Sequence, residues 1–177
     1  MLFRSICQEG GIVPIVEPEV LMDGAHDIDR CAEVTEYTLN SVFHELHLQG
    51  VALEGMILKP NMVIAGKKSA KQAKVDEVAA RTVLSLKRCV PSAVPGIMFL
   101  SGGQSEADAT AHLNAMNAQF RPLPWKLSYS YGRALQDSAL KTWAGKAENV
   151  AAAQKRLIQR SQLNSAACAA KYTGEAA

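Results

Sequence analysis

A lysine at the end of a short apolar segment is the residue of this chain best suited to covalent chemistry. Residues 53–58 are mostly apolar and Lys59 follows them directly, and a run of this length between glycine and proline predicts a buried strand. Strand alternation places Lys59 on one face with Leu53, Gly55 and Ile57. Burial of an amine lowers its pKa and makes the neutral, nucleophilic form available for a Schiff base. The same lysine could instead lie just past the strand with its side chain in solvent. Its position in the sequence does not distinguish a buried nucleophile from a solvated lysine.

Two carboxylates at the end of an earlier apolar segment could assist such a lysine. Residues 12–20 predict a first strand, in which alternation sets Glu17 and Glu19 on one face with Val13 and Ile15. Beside an amine on the neighbouring strand, one carboxylate can transfer protons while the other holds the lysine in place. The alternative is a solvated pair at a strand end.

Two glycine-containing turns could bind phosphate. They contain Ser101, Gly102 and Gly103 in the first turn, and Ser130, Gly132 and Arg133 in the second. Each turn leads from a strand into a helix, where backbone N–H groups and the helix dipole favour an anion. A guanidinium adds a donor that can bind phosphate through two hydrogen bonds. The glycines could also serve only a tight turn, and Arg133 could be a solvated surface residue.

Four apolar strands that alternate with amphipathic helices would position these residues. The strands are predicted at 12–20, 53–59, 96–100 and 125–130. The first helix is predicted from its lead-in at Asp23 and Asp27 to Gly50, and others at 74–89, 105–118 and 131–143, with a long final helix from 147 to about 171. This order predicts an α/β fold with parallel strands and right-handed crossovers. Every candidate residue falls at the carboxyl end of a strand, and positions 17, 59 and 101 share an interval of 42 residues.

Two architectures fit four strand–helix units. They could form a small open sheet, or half of an eight-stranded barrel, which normally needs about 250 residues. Residues 5–9 followed by Gly10 and Gly11 read as the end of a helix, which favours the half-barrel with strands equivalent to the fifth to eighth. We therefore expect residues 1–177 to form a single partial domain, in which residues 173–177 are a mobile tail.

The composition excludes several functional classes. The chain has 177 residues, of which 48% are hydrophobic, and its net charge of +2 is too small to indicate nucleic-acid binding. Its four cysteines are widely spaced and predict free thiols. No apolar run approaches the ~20 residues of a membrane span, and no signal peptide is recognisable, so we expect a cytoplasmic protein without membrane contact. The four histidines fall on predicted helical stretches, which disfavours a metal site.

Four ordered motifs resemble the class I (Schiff-base) fructose-bisphosphate aldolases. They are Val-Glu-Pro-Glu at 16–19, Leu-Lys-Pro-Asn-Met at 58–62, Phe-Leu-Ser-Gly-Gly-Gln-Ser at 99–105 and Ser-Tyr-Gly-Arg-Ala-Leu at 130–135. The resemblance covers about residues 5–173. It implies the C-terminal half of a (β/α)8 TIM barrel and a glycolytic lyase, usually a homo-oligomer, that needs no metal or organic cofactor. The implied reaction is reversible cleavage of fructose 1,6-bisphosphate to dihydroxyacetone phosphate and glyceraldehyde 3-phosphate.

The resemblance also implies a role for each candidate residue. Lys59 matches the imine-forming lysine, Glu17 the acid/base glutamate, and Glu19 the second carboxylate beside the lysine. The residues matching the binding groups for the ketose 1-phosphate are Ser101, Gly102, Gly103, Ser130, Gly132 and Arg133. The motifs of the family's first half have no counterpart in this sequence, so we expect a truncated chain that carries half a site. Two alternatives are an inactive fragment that acts as an interaction module and a lysine aldolase for another sugar phosphate.

Overall fold

Four short parallel strands form one sheet in the order β1-β2-β3-β4, and helices follow the strands along the chain. The computed structural model describes residues 2–175, with side chains described from residue 6. The strands are β1 (Ile15–Val16), β2 (Ile57–Leu58), β3 (Gly96–Phe99) and β4 (Lys126–Tyr129), and the helices are α1 (Leu2–Glu9), α2 (Ile28–Leu48), α3 (Val75–Cys89), α4 (Glu106–Gln119), α5 (Arg133–Trp143) and α6 (Val150–Cys168). The predicted α/β class, parallel pairing and strand order are confirmed.

The first two strands are much shorter than predicted. Residues 12–20 contribute only Ile15–Val16, because the flanking Pro14 and Pro18 have no N–H to donate to a ladder. Leu53–Gly55 is a 3₁₀ turn rather than part of β2. The side chain of Gln8 stabilises this turn, since its Nε2 donates to the Ala52 carbonyl at 2.8 Å and its Oε1 accepts from the Ala52 N–H at 3.0 Å.

The predicted alternation holds for the paired strand residues but not for Leu53 and Gly55, which lie in the 3₁₀ turn, and the core lies on the other face of the sheet. Val16, Leu58, Ile97 and Phe99 are fully buried on the side that the helices cover. On the opposite side, Ile15 is 54% exposed. The prediction that Lys59 shares its face with core residues is therefore wrong, because alternation follows from the strand alone whereas burial depends on where the helices pack.

The sheet register explains only one of the two equal sequence intervals. Ile15 pairs with Ile57, which is the interval of 42 residues that also separates Glu17 from Lys59. Ile57 pairs with Gly96 and not with Phe99, the residue 42 positions further on. Ser101 therefore lies further along the strand direction than Lys59, and the second interval has no structural basis.

Side-chain caps fix the starts of the helices beside the sheet edge. The Arg30 N–H donates to Asp27 Oδ1 at 2.8 Å at the start of α2, and the Asp108 N–H donates to Ser105 Oγ at 3.1 Å at the start of α4. Both caps have the residue types preferred at this position. The predicted helices were confirmed within a few residues at either end, the final one beginning at Val150 after a 3₁₀ turn.

Helix α6 packs against α4 and α5 and contributes Arg160 to the interior. Its Nη2 donates to the Glu106 carbonyl at 2.8 Å and to Thr110 Oγ1 at 2.7 Å. Beyond α6, Glu175 forms an ion pair with the same guanidinium. Residues 176–177 of the predicted mobile tail lie outside the described residues. No helix within residues 2–175 has the length and apolarity needed to span a membrane.

His112 on α4 should make stability depend on pH. Burial lowers its pKa to about 4, although the nearby Asp108 charge opposes this shift. The unfolded chain, with an ordinary histidine pKa near 6.5, binds the proton more readily between these values, so stability is present above pH 6.5 and is lost as the pH falls towards 4. We expect His112 to contribute a loss of about 2 kcal/mol between pH 7 and pH 5.

Urea unfolding at the two pH values checks this expectation. The matched variants are His112→Gln and His44→Gln, since His44 lies on the exposed side of α2. The pH dependence should weaken only in the first variant. An equal pH dependence in both variants would contradict the assignment to His112.

Candidate active site at the carboxyl edge of the sheet

Adjacent strands bring Lys59 and Glu17 into contact. Val16 is in register with Leu58, so the residues that follow them leave the sheet side by side. The Lys59 N–H donates to the Val16 carbonyl at 2.7 Å, and Lys59 Nζ lies 2.9 Å from Glu17 Oε1. The meeting of amine and carboxylate that alternation predicted is present in the structure.

The lysine is partly buried and reachable. Its side chain is 20% exposed and that of Glu17 is 46% exposed, so a small carbonyl compound can approach the amine from the open face of the sheet. An ammonium group must lose a proton before it can attack a carbonyl carbon, and a carboxylate in hydrogen-bond contact can accept that proton. This geometry suits imine formation.

Glu19 borders the first glycine turn. A Cβ added to Gly102 would come 3.3 Å from Glu19 Oε1 and 3.1 Å from Leu100 Cδ1. Among residues 2–175 the ion pair of Lys59 is made with Glu17 and not with Glu19. The Glu19 side chain thus reaches from the segment after β1 to the turn that follows β3, and it limits what can occupy position 102.

Gly103 lets the first turn pass under the loop that follows β1. Its φ of +77° lies in the left-handed region, and a Cβ there would come 2.8 Å from Met22 Cβ. The sequence predicted that this turn leads directly into the positive end of a helix dipole. In the structure α4 begins at Glu106, after the cap Ser105. Ser105 caps α4 with its own hydroxyl, so one of the free N–H groups at that helix end already has a partner.

The second turn ends in a helix start that lacks its own side-chain cap. Gly132 is the N-cap of α5 and Arg133 its first residue. The Ala134 N–H donates to Ser101 Oγ at 3.4 Å, which links the two turns. The Ser130 N–H donates to the Phe99 carbonyl at 2.9 Å and fixes the second turn beside β3.

The two turns share a cavity of about 590 Å³. Ser101, Gly103 and Arg133 line it, whereas Gly102, Ser130, Gly132 and Lys59 are not among its lining residues. A guanidinium, a hydroxyl and the start of a helix around one space make a site for a small anion such as phosphate. The structure therefore brings together part of the predicted phosphate site and leaves the amine outside the cavity itself.

Sequence reasoning missed several charged residues of this cavity. Lys67 lines it and forms an ion pair with Asp23, with 2.9 Å between Nζ and Oδ1. The hydrogen bond and charge of Lys67, with a smaller contribution from Arg133, hold the pKa of Asp23 below its usual value. Arg156 and Glu175 line the opposite wall. Lys67 belongs to a visibly lysine-rich loop, but the chain offers no local signal that α6 and the segment after it return to this edge.

The described residues hold no evident metal site. Within residues 2–175, no three His, Cys, Asp or Glu side chains are grouped closely enough to bind a metal ion. His26 was expected on a helical stretch and lies instead in the connection before α2.

Comparisons with known proteins agree on one family. The family model described as "Glycolytic: Fructose-bisphosphate aldolase class-I" matches residues 2–177. The chain is 57% identical over 173 residues to fructose-bisphosphate aldolase 2 of Caenorhabditis elegans, covering 98% of this chain and 47% of that protein. It is 57% identical over 174 residues to the cytoplasmic isozyme of fructose-bisphosphate aldolase from Spinacia oleracea, covering 98% of this chain and 48% of that protein.

A solved structure shows the same fold. The fructose-bisphosphate aldolase of Plasmodium falciparum, in a ternary complex with TRAP and a small-molecule inhibitor, has a TM-score of 0.93 and 53% sequence identity to this chain. The match covers 97% of this chain and 49% of that one. The chain thus spans about half the length of the relatives it matches.

Proposed function

This chain belongs to the class I fructose-bisphosphate aldolase family, and we propose that it carries the imine-forming half of such an active site. The observation that carries the proposal is the contact of 2.9 Å between Lys59 Nζ and Glu17 Oε1 at the carboxyl edge of the sheet. The proposed reaction of the whole enzyme is reversible cleavage of fructose 1,6-bisphosphate to dihydroxyacetone phosphate and glyceraldehyde 3-phosphate.

The chemistry begins at the lysine. Glu17 accepts a proton from the Lys59 ammonium, and the freed nitrogen lone pair attacks the ketone carbon to give a carbinolamine. Glu17 then returns the proton to the departing hydroxyl, which leaves as water, and a protonated imine forms. The imine accepts the electron pair of the substrate C3–C4 bond while the C4 hydroxyl gives its proton to the again ionised Glu17 and becomes the aldehyde, so cleavage gives an enamine in place of a free carbanion.

The cavity lined by Ser101 and Arg133 orients the substrate. Arg133 offers two parallel N–H donors to a phosphate group, and Ser101 and the backbone of the glycine turns add further donors. We assign the ketose 1-phosphate to this place, with Ser130, Gly102 and Gly132 shaping the turns. Glu19, whose carboxylate lies at the Gly102 position, is assigned as the second carboxylate of the lysine site.

The wider setting follows from the family. We propose that residues 1–177 form one partial barrel domain, since the matched structure is about twice as long. Imine chemistry needs only the lysine and its carboxylate, so no cofactor is invoked. A homo-oligomeric assembly and a cytoplasmic location are part of the proposal, the latter supported by the name of the Spinacia oleracea relative. The relatives are named as enzymes, and we do not propose an inactive interaction module.

Trapping with borohydride tests the proposal. The chain is incubated with dihydroxyacetone phosphate, reduced with sodium borohydride and weighed by intact mass spectrometry. Hydride reduces the imine to a stable secondary amine, so we expect one adduct per chain. A folded chain without an adduct would contradict the proposed imine chemistry.

Removing the cavity guanidinium should weaken substrate capture. Arg133→Gln takes away a charge-assisted, two-donor contact with the phosphate, which corresponds to a loss of about 10- to 100-fold in apparent affinity. The measurement is the concentration of dihydroxyacetone phosphate that gives half-maximal trapping. Lys126→Gln is the matched control, because it removes one positive charge at the opposite end of β4. Equal half-maximal concentrations in the two variants would contradict the role of Arg133.

A further inference from the structure

Two arginines of α6 lie near the cavity that Ser101 and Arg133 line, and Arg160 reaches it through the lining residues Glu106 and Glu175. Arg156 lines the cavity directly. Its Nε donates to Ser138 Oγ at 3.1 Å and its Nη1 to Gln159 Oε1 at 2.9 Å, so within the described residues the guanidinium is fixed without an ion pair to a carboxylate. Arg160 lies one helical turn further on and is fully buried. Neither residue has a part in the proposed imine chemistry.

Neutral oxygen atoms accept two of the hydrogen bonds of the buried Arg160 guanidinium. Arg160 Nη2 donates to the Glu106 carbonyl and to Thr110 Oγ1. Its Nε has no hydrogen-bond partner and lies 3.8 Å from Glu106 Oε2. A buried guanidinium needs a close anion, and the closest here is Glu175, whose Oε1 lies 2.5 Å from Arg160 Nη1.

The Glu175 carboxylate lies where an anionic ligand could contact the α6 arginines. Its side chain is 34% exposed and lines the cavity, so water and solutes can reach it. Burial favours its neutral form, but hydrogen bonds from Arg160 and Tyr172 and the charges of Arg160 and Arg156 outweigh this and lower its pKa. The carboxylate is therefore ionised at neutral pH and belongs to a segment outside any helix or strand.

The other carboxylates that line the cavity have partners of their own. Glu106 Oε1 accepts from the N–H and the Oγ of Ser138, at 3.0 and 2.9 Å. Asp137 Oδ2 accepts from Lys141 Nζ at 2.6 Å. Among the lining carboxylates of the described residues, Glu175 makes the closest pair with an α6 arginine, while Glu106 Oε2 lies 3.8 Å from Arg160 Nε. Departure of Glu175 would therefore remove the anion that contacts Arg160 Nη1 and leave this end of the cavity to Arg156 and Arg160.

We propose that Arg156 and Arg160 form a second anion subsite, which Glu175 fills in this structure and which a phosphate group occupies when Glu175 leaves. The group is a phosphate dianion, either free or carried by a sugar phosphate. The subsite needs neither Lys59 nor imine formation, so it stands apart from the proposed function. Glu175 acts as an internal competitor. The apparent affinity for phosphate equals the intrinsic affinity multiplied by the fraction of time that Glu175 is undocked.

Calorimetric titration at pH 8 tests the subsite in an Arg133→Gln background, which weakens the first phosphate site. Inorganic phosphate and dihydroxyacetone phosphate are titrated separately, and binding of the first identifies a free anion as a ligand. Glu175→Gln should tighten binding about tenfold if Glu175 is docked nine-tenths of the time. Arg156→Gln should weaken binding about tenfold through loss of a charge-assisted contact.

Lys155→Gln is the matched control, because Lys155 is the exposed neighbour of Arg156 on α6. It should leave the affinity unchanged, and circular dichroism verifies that each variant is folded. Unchanged affinity in Glu175→Gln, or an equal effect of the Arg156 and Lys155 changes, would overturn the proposal. If Glu175→Gln does not fold, the comparison of Arg156→Gln with Lys155→Gln decides. Trapping at Lys59 is expected in all these variants, so a failed subsite leaves the imine proposal intact.

Discussion

Replacing Lys59 with arginine should reduce the borohydride-trapped adduct with dihydroxyacetone phosphate to background. Arginine keeps the positive charge beside Glu17 and the length needed for the ion pair seen in the structure. Its guanidinium does not lose a proton in proteins, so no neutral nitrogen is available to attack the ketone. The measurement is intact mass after reduction, at a substrate concentration that saturates trapping in the unchanged chain.

Lys67→Arg is the control for this loss. Lys67 also lies at the carboxyl edge of the sheet and also pairs with a carboxylate, Asp23. Its substitution should leave the adduct in place. A Lys59→Arg chain that still gains the full adduct, or a Lys67→Arg chain that loses it, would contradict the assignment of Lys59 as the nucleophile.

Truncating Leu58 should have the largest effect on stability. Leu58 is fully buried on the helix-covered face of β2, directly before the lysine. Leu58→Ala removes three buried carbon atoms and leaves a cavity between the sheet and its helices, at a cost of about 3 kcal/mol in the free energy of unfolding. Since domains are stable by only about 5–15 kcal/mol, this loss should be visible as a large shift of the urea midpoint.

Leu140→Ala tests whether the loss is specific to the core. Leu140 lies on α5 and is 55% exposed, so the same substitution should change the free energy of unfolding by about 0.5 kcal/mol or less. Similar effects of the two substitutions would contradict the placement of Leu58 in the core.

The helices could be predicted well because their signals are local. Asp27 and Ser105 have side chains that cap a helix, and each stands directly before a stretch with helical periodicity. The bounds of the strands were harder to predict from the sequence, because a strand ends where its neighbour in the sheet stops pairing with it. The prolines at 14, 18 and 60 lie next to the short strands, and the carbonyls of Pro14 and Pro60 still accept inter-strand hydrogen bonds, so only the structure shows how few residues pair.

The contact of Glu17 with Lys59 was predictable because it depends on parallel pairing alone. Two residues that follow adjacent strands in register must leave the sheet together, and the register of Ile15 with Ile57 provides this. The exposure of the lysine was not predictable, because the helices cover the other face. The position of Arg156 and Glu175 at the cavity could not be predicted, because it depends on how α6 packs against α4 and α5. The local sequence pattern does not encode this packing.

Peptide mapping of the reduced adduct tests the central claim most directly. After incubation with dihydroxyacetone phosphate and reduction, the chain is digested with a protease that does not cleave at lysine, and each peptide is sequenced by tandem mass spectrometry. We predict that the added mass lies on Lys59 and that Lys67, Lys68 and Lys126 remain unmodified. An adduct on another lysine, or one spread evenly over the exposed lysines, would contradict the account.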